Sequence, residues 1–339
     1  MASCGPRKSP SLARPPQPAD RHPRTDPLPD RDAARSPRVT DYLEYAVFRI
    51  AFALFAAVPR RAALRIGTWI GELFFRLDRP HRRIALYNLR LAFPDRSESE
   101  RLAILQRSCH NLGRVGAECC HLAALSPASV RDYVSIDDPA RWQAELAAAA
   151  ERGAVVLTAH LGNFELLAYA CGLLGHPIAL VHRPMRNALV DDAITALRAR
   201  AGTVSLAKKN AAKAALRALH GHSIVAIPAD QNQTRRYGVF VELFGVLAST
   251  TPGPSRLAML SRAPVVPVFL LRDGESERHR LVVLPPVELV RSGDREADVV
   301  TNTQRCTAVI EDMMRRYPDQ WIWFHKRWKT RPLGEPGIY

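Results

Sequence analysis

The chain has 339 residues, 47% of them hydrophobic, enough to bury one large domain or two. Lys and Arg outnumber Asp and Glu 48 to 33, for a formal charge of +15, which suits an anionic partner such as nucleic acid, an acidic membrane leaflet, or a phosphorylated carrier or substrate. There is no helix-turn-helix, zinc-finger or RNP-like spacing, and no Walker loop or G-x-G-x-x-G. These absences exclude the common nucleic-acid and nucleotide-binding modules.

Residues 1–40 hold nine of the 26 prolines, many arginines and no aromatic residue. They cannot bury enough apolar surface to order themselves and are expected to form a disordered tail, unless an upstream start codon was mis-assigned. The tail lacks the apolar core of a signal peptide. Residues 41–80 are expected to contact a membrane. Tyr42 to Val58 is apolar and aromatic, interrupted by Glu44 and Arg49, and either lies in the interface or spans the bilayer. Ala62 to Leu77 repeats the theme, with Leu64, Trp69, Leu73 and Phe74 on an apolar side and Arg60, Arg61, Arg65 and Arg76 placed for phosphates.

His81 to Glu118 reads as arginine-rich helices, broken at Phe93-Pro94-Asp95 and restarted by the cap Ser97-Glu98-Ser99-Glu100. Pro139 to Arg152 is a helix that feeds an apolar strand, Val155 to Thr158. Strands are then expected over Pro177–His182, Ser223–Ile227, Val265–Leu271 and Leu281–Leu284. Helices are expected over Ala188–Ala201, Ala211–His220, Gly253–Arg262 and Glu296–Tyr317. This alternation predicts an α/β fold with a mostly parallel central sheet flanked by helices. The six cysteines (Cys4, Cys109, Cys119, Cys120, Cys171, Cys306) form no C-x-x-C pair and are read as reduced, which implies a cytosol-facing protein.

The chemistry concentrates at Thr158-Ala159-His160-Leu161-Gly162-Asn163-Phe164-Glu165, a strand, a tight turn and the opening of an apolar helix. A histidine beside a carboxylate can act as a general base, with Glu165 fixing the ring tautomer and stabilising the imidazolium. Ligands of open α/β sheets bind at the carboxyl ends of strands, and a helix amino terminus favours developing negative charge. Arg183 and Asp230 also follow apolar strands, so one sheet edge is expected to collect His160, Arg183 and Asp230. His160 and Glu165 alone lack the further ligands of a zinc site, although His182, which ends a later strand, could lie close enough to add one.

Seven strings, RRIALYNLRLAFP (82–94), TAHLGNFE (158–165), VHRPMRN (181–187), PADQN (228–232), GVFVELFG (238–245), RAPVVPVF (262–269) and YPDQWIWFHKRWKTRP (317–332), resemble the lipid A late acyltransferases of the lysophospholipid acyltransferase superfamily. The resemblance implies a glycerolipid acyltransferase-like domain over 81–332, followed by a short tail at 333–339. It implies acyl transfer by His160 and Glu165, with Arg183 and Asp230 as further active-site residues; PADQN differs from members with Pro-Asp-x-Asp.

The reaction so implied is direct transfer with no cofactor and no metal. His160 deprotonates a hydroxyl of a phosphorylated glycolipid, the alkoxide attacks an acyl thioester, backbone N–H groups around Gly162 and Asn163 hold the oxyanion, and Arg183 binds phosphate. The donor is acyl carrier protein or acyl-CoA, and the place is the cytoplasmic face of the inner membrane. Alternatives are an acyltransferase of phosphatidylinositol mannoside type using acyl-CoA, a thioester hydrolase, and a non-catalytic membrane adaptor.

Overall fold

The computed structural model describes residues 37–207 and 211–339. The tail expected over 1–40 therefore lies, but for its last four residues, outside the described residues. Helix α1 (Val39–Ala57) is separated from α2 (Arg60–Leu77) by Pro59. Asp78 caps α3 (Arg79–Ala92) by accepting from the His81 N–H. The expected capping box opens α4 (Glu98–Cys119), with Ser97 and Glu100 bonding reciprocally.

A short α5 (Val130–Tyr133) precedes β1 (Val134–Ile136), and α6 (Pro139–Arg152) feeds β2 (Ala154–Thr158). The alternation continues through α7 (Phe164–Leu173), β3 (Ile178–His182), α8 (Ala188–Ala199), β4 (Val204–Ala207), α9 (Ala211–His220) and β5 (Ile224–Pro228). A hairpin, β6 (Val239–Leu243) and β7 (Val246–Thr250), is followed by α10 (Gly253–Ser261), β8 (Val265–Arg272), β9 (His279–Val283) and α11 (Arg295–Arg316).

Seven strands form one sheet in the order β1-β9-β8-β2-β5-β3-β4. Every neighbouring pair is parallel except β8–β9. All eight residues of β8 are buried, as a central strand covered on both faces requires. The helices on the two faces close two apolar clusters. One is built around Leu157, Phe269 and the three tryptophans Trp321, Trp323 and Trp328, the other around Trp142, Leu166 and Tyr169.

Two features of this architecture were not expected from the sequence. The edge strands β1 and β4 are short and largely uncovered, so they carry no run of apolar residues. The β6–β7 hairpin turns through Phe244 and Gly245, at φ 52° and 73°, the two successive positive angles of a primed two-residue turn. Its first turn residue is a phenylalanine instead of Asn or Asp, because the ring is buried against Phe93 and Trp323. The carboxyl-terminal aromatics of 317–332, whose mixture with cations suits a membrane interface or a docked core segment alike, are core: all three tryptophans are fully buried.

Helix α2 is corrected in one respect. Leu64 is buried, while Trp69 and Leu73 are exposed, so the helix has two apolar faces instead of one. The inner face meets α4 backbone to backbone at Gly67, Gly71 and Gly113; a Cβ on Gly67 would stand 2.5 Å from the Gly113 carbonyl oxygen. Residues 60–77 are thus packed into the acyltransferase-like body, and the chain end returns to it as well, Tyr339 donating from its hydroxyl to Asn88 Oδ1 at 2.5 Å.

Candidate active site

Strands β2 and β5 are adjacent and in register, Thr158 opposite Pro228, and the Ala229 N–H continues the ladder by donating to the Thr158 carbonyl. His160 and Asp230 each lie two residues past those paired ends and meet across the edge. His160 Nδ1 is 2.9 Å from Asp230 Oδ1. The other carboxylate oxygen, Oδ2, accepts from Trp321 Nε1 at 2.8 Å. An ionised carboxylate only accepts, so Nδ1 carries the proton and Nε2 of neutral His160 presents its lone pair outward. The Gln231 amide nitrogen stands 3.4 Å from that Nε2, and the Phe164 ring packs edge-on against the imidazole at 4.9 Å.

The electrostatics follow from this pairing. Burial alone would raise the Asp230 carboxyl, but the His160 charge, its hydrogen bond and the Trp321 indole together bring it down to about 2. Burial pulls His160 downward; the charge and hydrogen bond of Asp230, with the more distant charge of Glu165, outweigh it and leave the imidazole above its ordinary 6.5. The Asp230 loop is fixed from behind by His325, whose Nε2 accepts from the Asn232 N–H at 2.9 Å. Burial brings His325 down to about 4, which keeps it neutral for that bond.

Two sequence expectations are corrected here. Glu165 was expected to orient His160, but its carboxylate is turned to Arg198 on α8, with contacts of 2.7, 3.0 and 3.2 Å to Nη2 and Nε. It acts on His160 through charge alone, and the orienting bond comes from Asp230. The backbone N–H groups of Gly162 and Asn163 were expected to hold an oxyanion, but both are already committed. Gly162 donates to the Gln320 carbonyl at 3.0 Å and Asn163 to the Leu270 carbonyl at 2.8 Å.

Gly162 is required by the fold: at φ +66° a Cβ would fall 2.1 Å from the Leu270 oxygen. Asn163, fully buried, caps α7 by accepting from the Leu166 N–H at 2.9 Å. Among the described residues, the N–H groups of Phe164 and Glu165 in the first turn of α7 have no hydrogen-bond partner.

Arg183 follows β3, which neighbours β5, and so reaches the same edge; its side chain is exposed. His160, Asp230 and Arg183 thus stand at the same edge of the sheet, and of the three His160 and Asp230 are in direct contact. Sequence reasoning missed Trp321, Gln231 and Arg198. Trp321 lies in an aromatic and cationic string whose composition suits an interface as well as a core, and Arg198 resembles any helix-surface arginine until α8 is docked on α7. Among the described residues, no group of three or more His, Cys, Asp or Glu side chains is placed to hold a metal ion.

A mostly parallel sheet carrying a carboxylate-bonded histidine at its strand ends, with a helix amino terminus beside it, is an arrangement suited to general-base chemistry. The chain belongs to the bacterial lipid A biosynthesis acyltransferase family, whose model matches residues 33–330, and it is an acyltransferase. It is 30% identical over 291 residues to the lipid A biosynthesis lauroyltransferase of Escherichia coli (strain K12), covering 84% of this chain and 91% of that protein. It is 29% identical over 290 residues to the myristoyltransferase of the same organism, covering 84% and 86%. A lipid A biosynthesis acyltransferase of Haemophilus influenzae is 27% identical over 304 residues, covering 87% and 94%.

Proposed function

We propose that this enzyme transfers a fatty acyl chain from an acyl thioester, carried by acyl carrier protein, to a hydroxyl of a phosphorylated lipid A precursor at the cytoplasmic face of the inner membrane. The observation that carries the mechanism is the His160–Asp230 hydrogen bond, which leaves Nε2 as the proton acceptor. His160 Nε2 takes the hydroxyl proton as the alkoxide forms its bond to the thioester carbonyl carbon. The tetrahedral oxyanion is met by the N–H groups of Phe164 and Glu165, supplemented by the positive end of α7. When the C–S bond breaks, the imidazolium returns its proton to the leaving thiolate. General-base help of this kind is worth about 10²–10⁴-fold. No cofactor or metal enters these steps. Arg183, a fork suited to two phosphate oxygens, binds the phosphate of acceptor or carrier.

Membrane seating is proposed on the surface of α1 and α2. No residue of α1 is buried, and Val39, Leu43, Val47, Ile50 and Leu54 repeat on one exposed side. Ile66, Trp69, Ile70, Leu73 and Leu77 do the same on α2. Among the described residues no helix is long and apolar enough to cross a membrane, so an interfacial seat suits these faces. Arg60, one of four arginines expected at the leaflet, turns inward instead and meets Glu118 at 3.3 Å; Arg61 and Arg65 remain exposed.

The direct test offers the purified enzyme carrier-bound and coenzyme-A-bound acyl thioesters together with a lipid A precursor, and reads products by mass spectrometry. A precursor heavier by one acyl chain, formed faster from the carrier thioester, is expected. Free fatty acid with unchanged precursor would point to hydrolysis, and preference for phosphatidylinositol mannosides would point to that class of acceptor.

A further inference from the structure

The buried face of α4 repeats at Ile104, Ser108, Asn111, Val115 and Glu118, and three of these five positions are polar. Each of the three bonds to a segment that shapes the active site. The Ser108 hydroxyl donates to the Trp321 carbonyl. Asn111 Nδ2 reaches the Gly162 carbonyl at 3.5 Å, and its Oδ1 accepts from Arg272 Nε at 3.0 Å. Glu118 accepts from Asn163 Nδ2 at 2.6 Å while holding Arg272 by both terminal nitrogens, at 3.0 and 2.6 Å.

Glu118 is 1% exposed. Burial alone would raise its carboxyl, but the His279 imidazole and the Arg272 guanidinium beside it hold it well below the usual carboxylate range. A buried charge with three residues donating to it, Asn163, Arg272 and Arg60, and the His279 ring 3.5 Å away, is far more than helix packing requires; an apolar residue would fill the space. The feature it reaches is the turn 161–163, whose backbone is bridged to Trp321 and Leu270 and whose Gly162 carbonyl meets Asn111, while Glu118 holds its Asn163 side chain. That turn joins His160 to the first helical N–H groups of α7. A rotation there moves the base relative to Asp230 and moves the α7 donors relative to both.

We propose that Glu118 is a positioning residue for acyl transfer, which acts through Asn163 to hold the His160 turn in register with Asp230. The inference rests on His160 being the base. It assigns the side chain of Asn163 two tasks: Oδ1 caps α7, and Nδ2 ties the cap to Glu118. Serine in its place keeps a capping oxygen and leaves the Glu118–Arg272 pair whole, yet breaks the tie.

The test compares the full-length Asn163→Ser, Glu118→Gln, double-variant and His160→Ala enzymes in steady-state acyl transfer, with thermal unfolding measured alongside. Misplacing a catalytic group by a fraction of an ångström to one ångström costs up to about 100-fold. Asn163→Ser is expected to stay folded and lose about 100-fold in kcat with KM for both substrates within about twofold. The double variant should be no slower than the slower single one, because both remove the same tie. If Glu118→Gln fails to fold, with two guanidinium groups left buried beside a neutral amide, Asn163→Ser alone decides. An Asn163→Ser enzyme with wild-type kcat, or losses that multiply in the double variant, overturns the proposal. Full activity in His160→Ala would instead overturn the reading of His160 on which the inference rests, and the two failures are thereby told apart.

Discussion

Asp230 bonds to His160 across seventy residues of sequence, its Oδ1 2.9 Å from the imidazole Nδ1. Glu165, five residues from the histidine, is bound to Arg198 instead. The short spacing of a histidine and a carboxylate around one turn invites the reading that they are partners. Yet a glutamate in the first turn of α7 projects from the helix toward α8, while the histidine at the strand end faces the neighbouring strand β5.

The two carboxylates should therefore respond differently to neutralisation. Glu165→Gln leaves Arg198, 8% exposed, without its counter-charge, and should cost about 2–3 kcal/mol of stability, the usual range for a lost charge-assisted bond. Urea unfolding of Glu165→Gln and of Glu165→Gln/Arg198→Met checks this: the double variant should recover part of the loss, since it also removes the buried guanidinium left unpaired.

Asp230 ties the site to acid stability. Its folded carboxyl lies at about 2 against 3.8 unfolded, so the pairing contributes fully above the unfolded value and is lost as pH falls toward 2. A displacement of that size corresponds to about 2 kcal/mol. Between pH 5 and pH 2 the wild-type enzyme should lose about that much more unfolding free energy than Asp230→Asn, measured by denaturant titration at each pH. Equal losses would mean that Asp230 is not held ionised.

Arg183→Lys tests the phosphate contact. A lysine keeps the charge but loses the two-pronged geometry, so KM for the phosphorylated partner should rise at least as much as kcat falls. Wild-type kinetics in the lysine variant would remove Arg183 from the site.

For membrane seating, α2 cannot simply be deleted, because its glycines are packed on α4. Substitution of exposed residues avoids that problem. Ile50→Glu, Leu54→Glu and Trp69→Glu together should release the protein from anionic vesicles in a sedimentation assay, each buried apolar side chain being worth about 1.5–3 kcal/mol. The melting temperature should hardly change. Partial extraction of the wild type by high salt is also expected from an interfacial seat.

The order of elements was legible because β2, β3, β5 and β8 are buried runs of β-branched and aliphatic residues bounded by turn signals. The same strand-end reading located His160, Arg183 and Asp230 at one edge. The partnerships were not legible. Which carboxylate faces His160 depends on β5 lying beside β2, a non-local pairing, and on Arg198 arriving from α8 to engage Glu165. Trp321 was visible only as one of several aromatics near cations, whose composition fits a membrane interface as well as a core. One overlooked signal was local: Glu118 falls in helical register with Ile104, Ser108, Asn111 and Val115, and a charge on a buried stripe implies a partner.

The measurement that bears most directly on the His160–Asp230 relay is the pH dependence of kcat/KM for acyl transfer in wild type, Asp230→Asn and Glu165→Gln. The base must be neutral to accept a proton, so activity should rise with pH through the folded value of His160, which lies above 6.5. The stabilising contribution of that raised value runs the other way, complete below 6.5 and lost as the pH rises through it. Asp230→Asn removes the carboxylate charge and leaves burial opposed only by the more distant charge of Glu165. The midpoint should fall from its wild-type position, and the plateau should drop on the order of 10³–10⁴-fold, as when a histidine base is deprived of its orienting carboxylate. Glu165→Gln should shift the midpoint less. A wild-type midpoint and plateau in Asp230→Asn, with both changed in Glu165→Gln, would contradict the account and return the orienting role to Glu165.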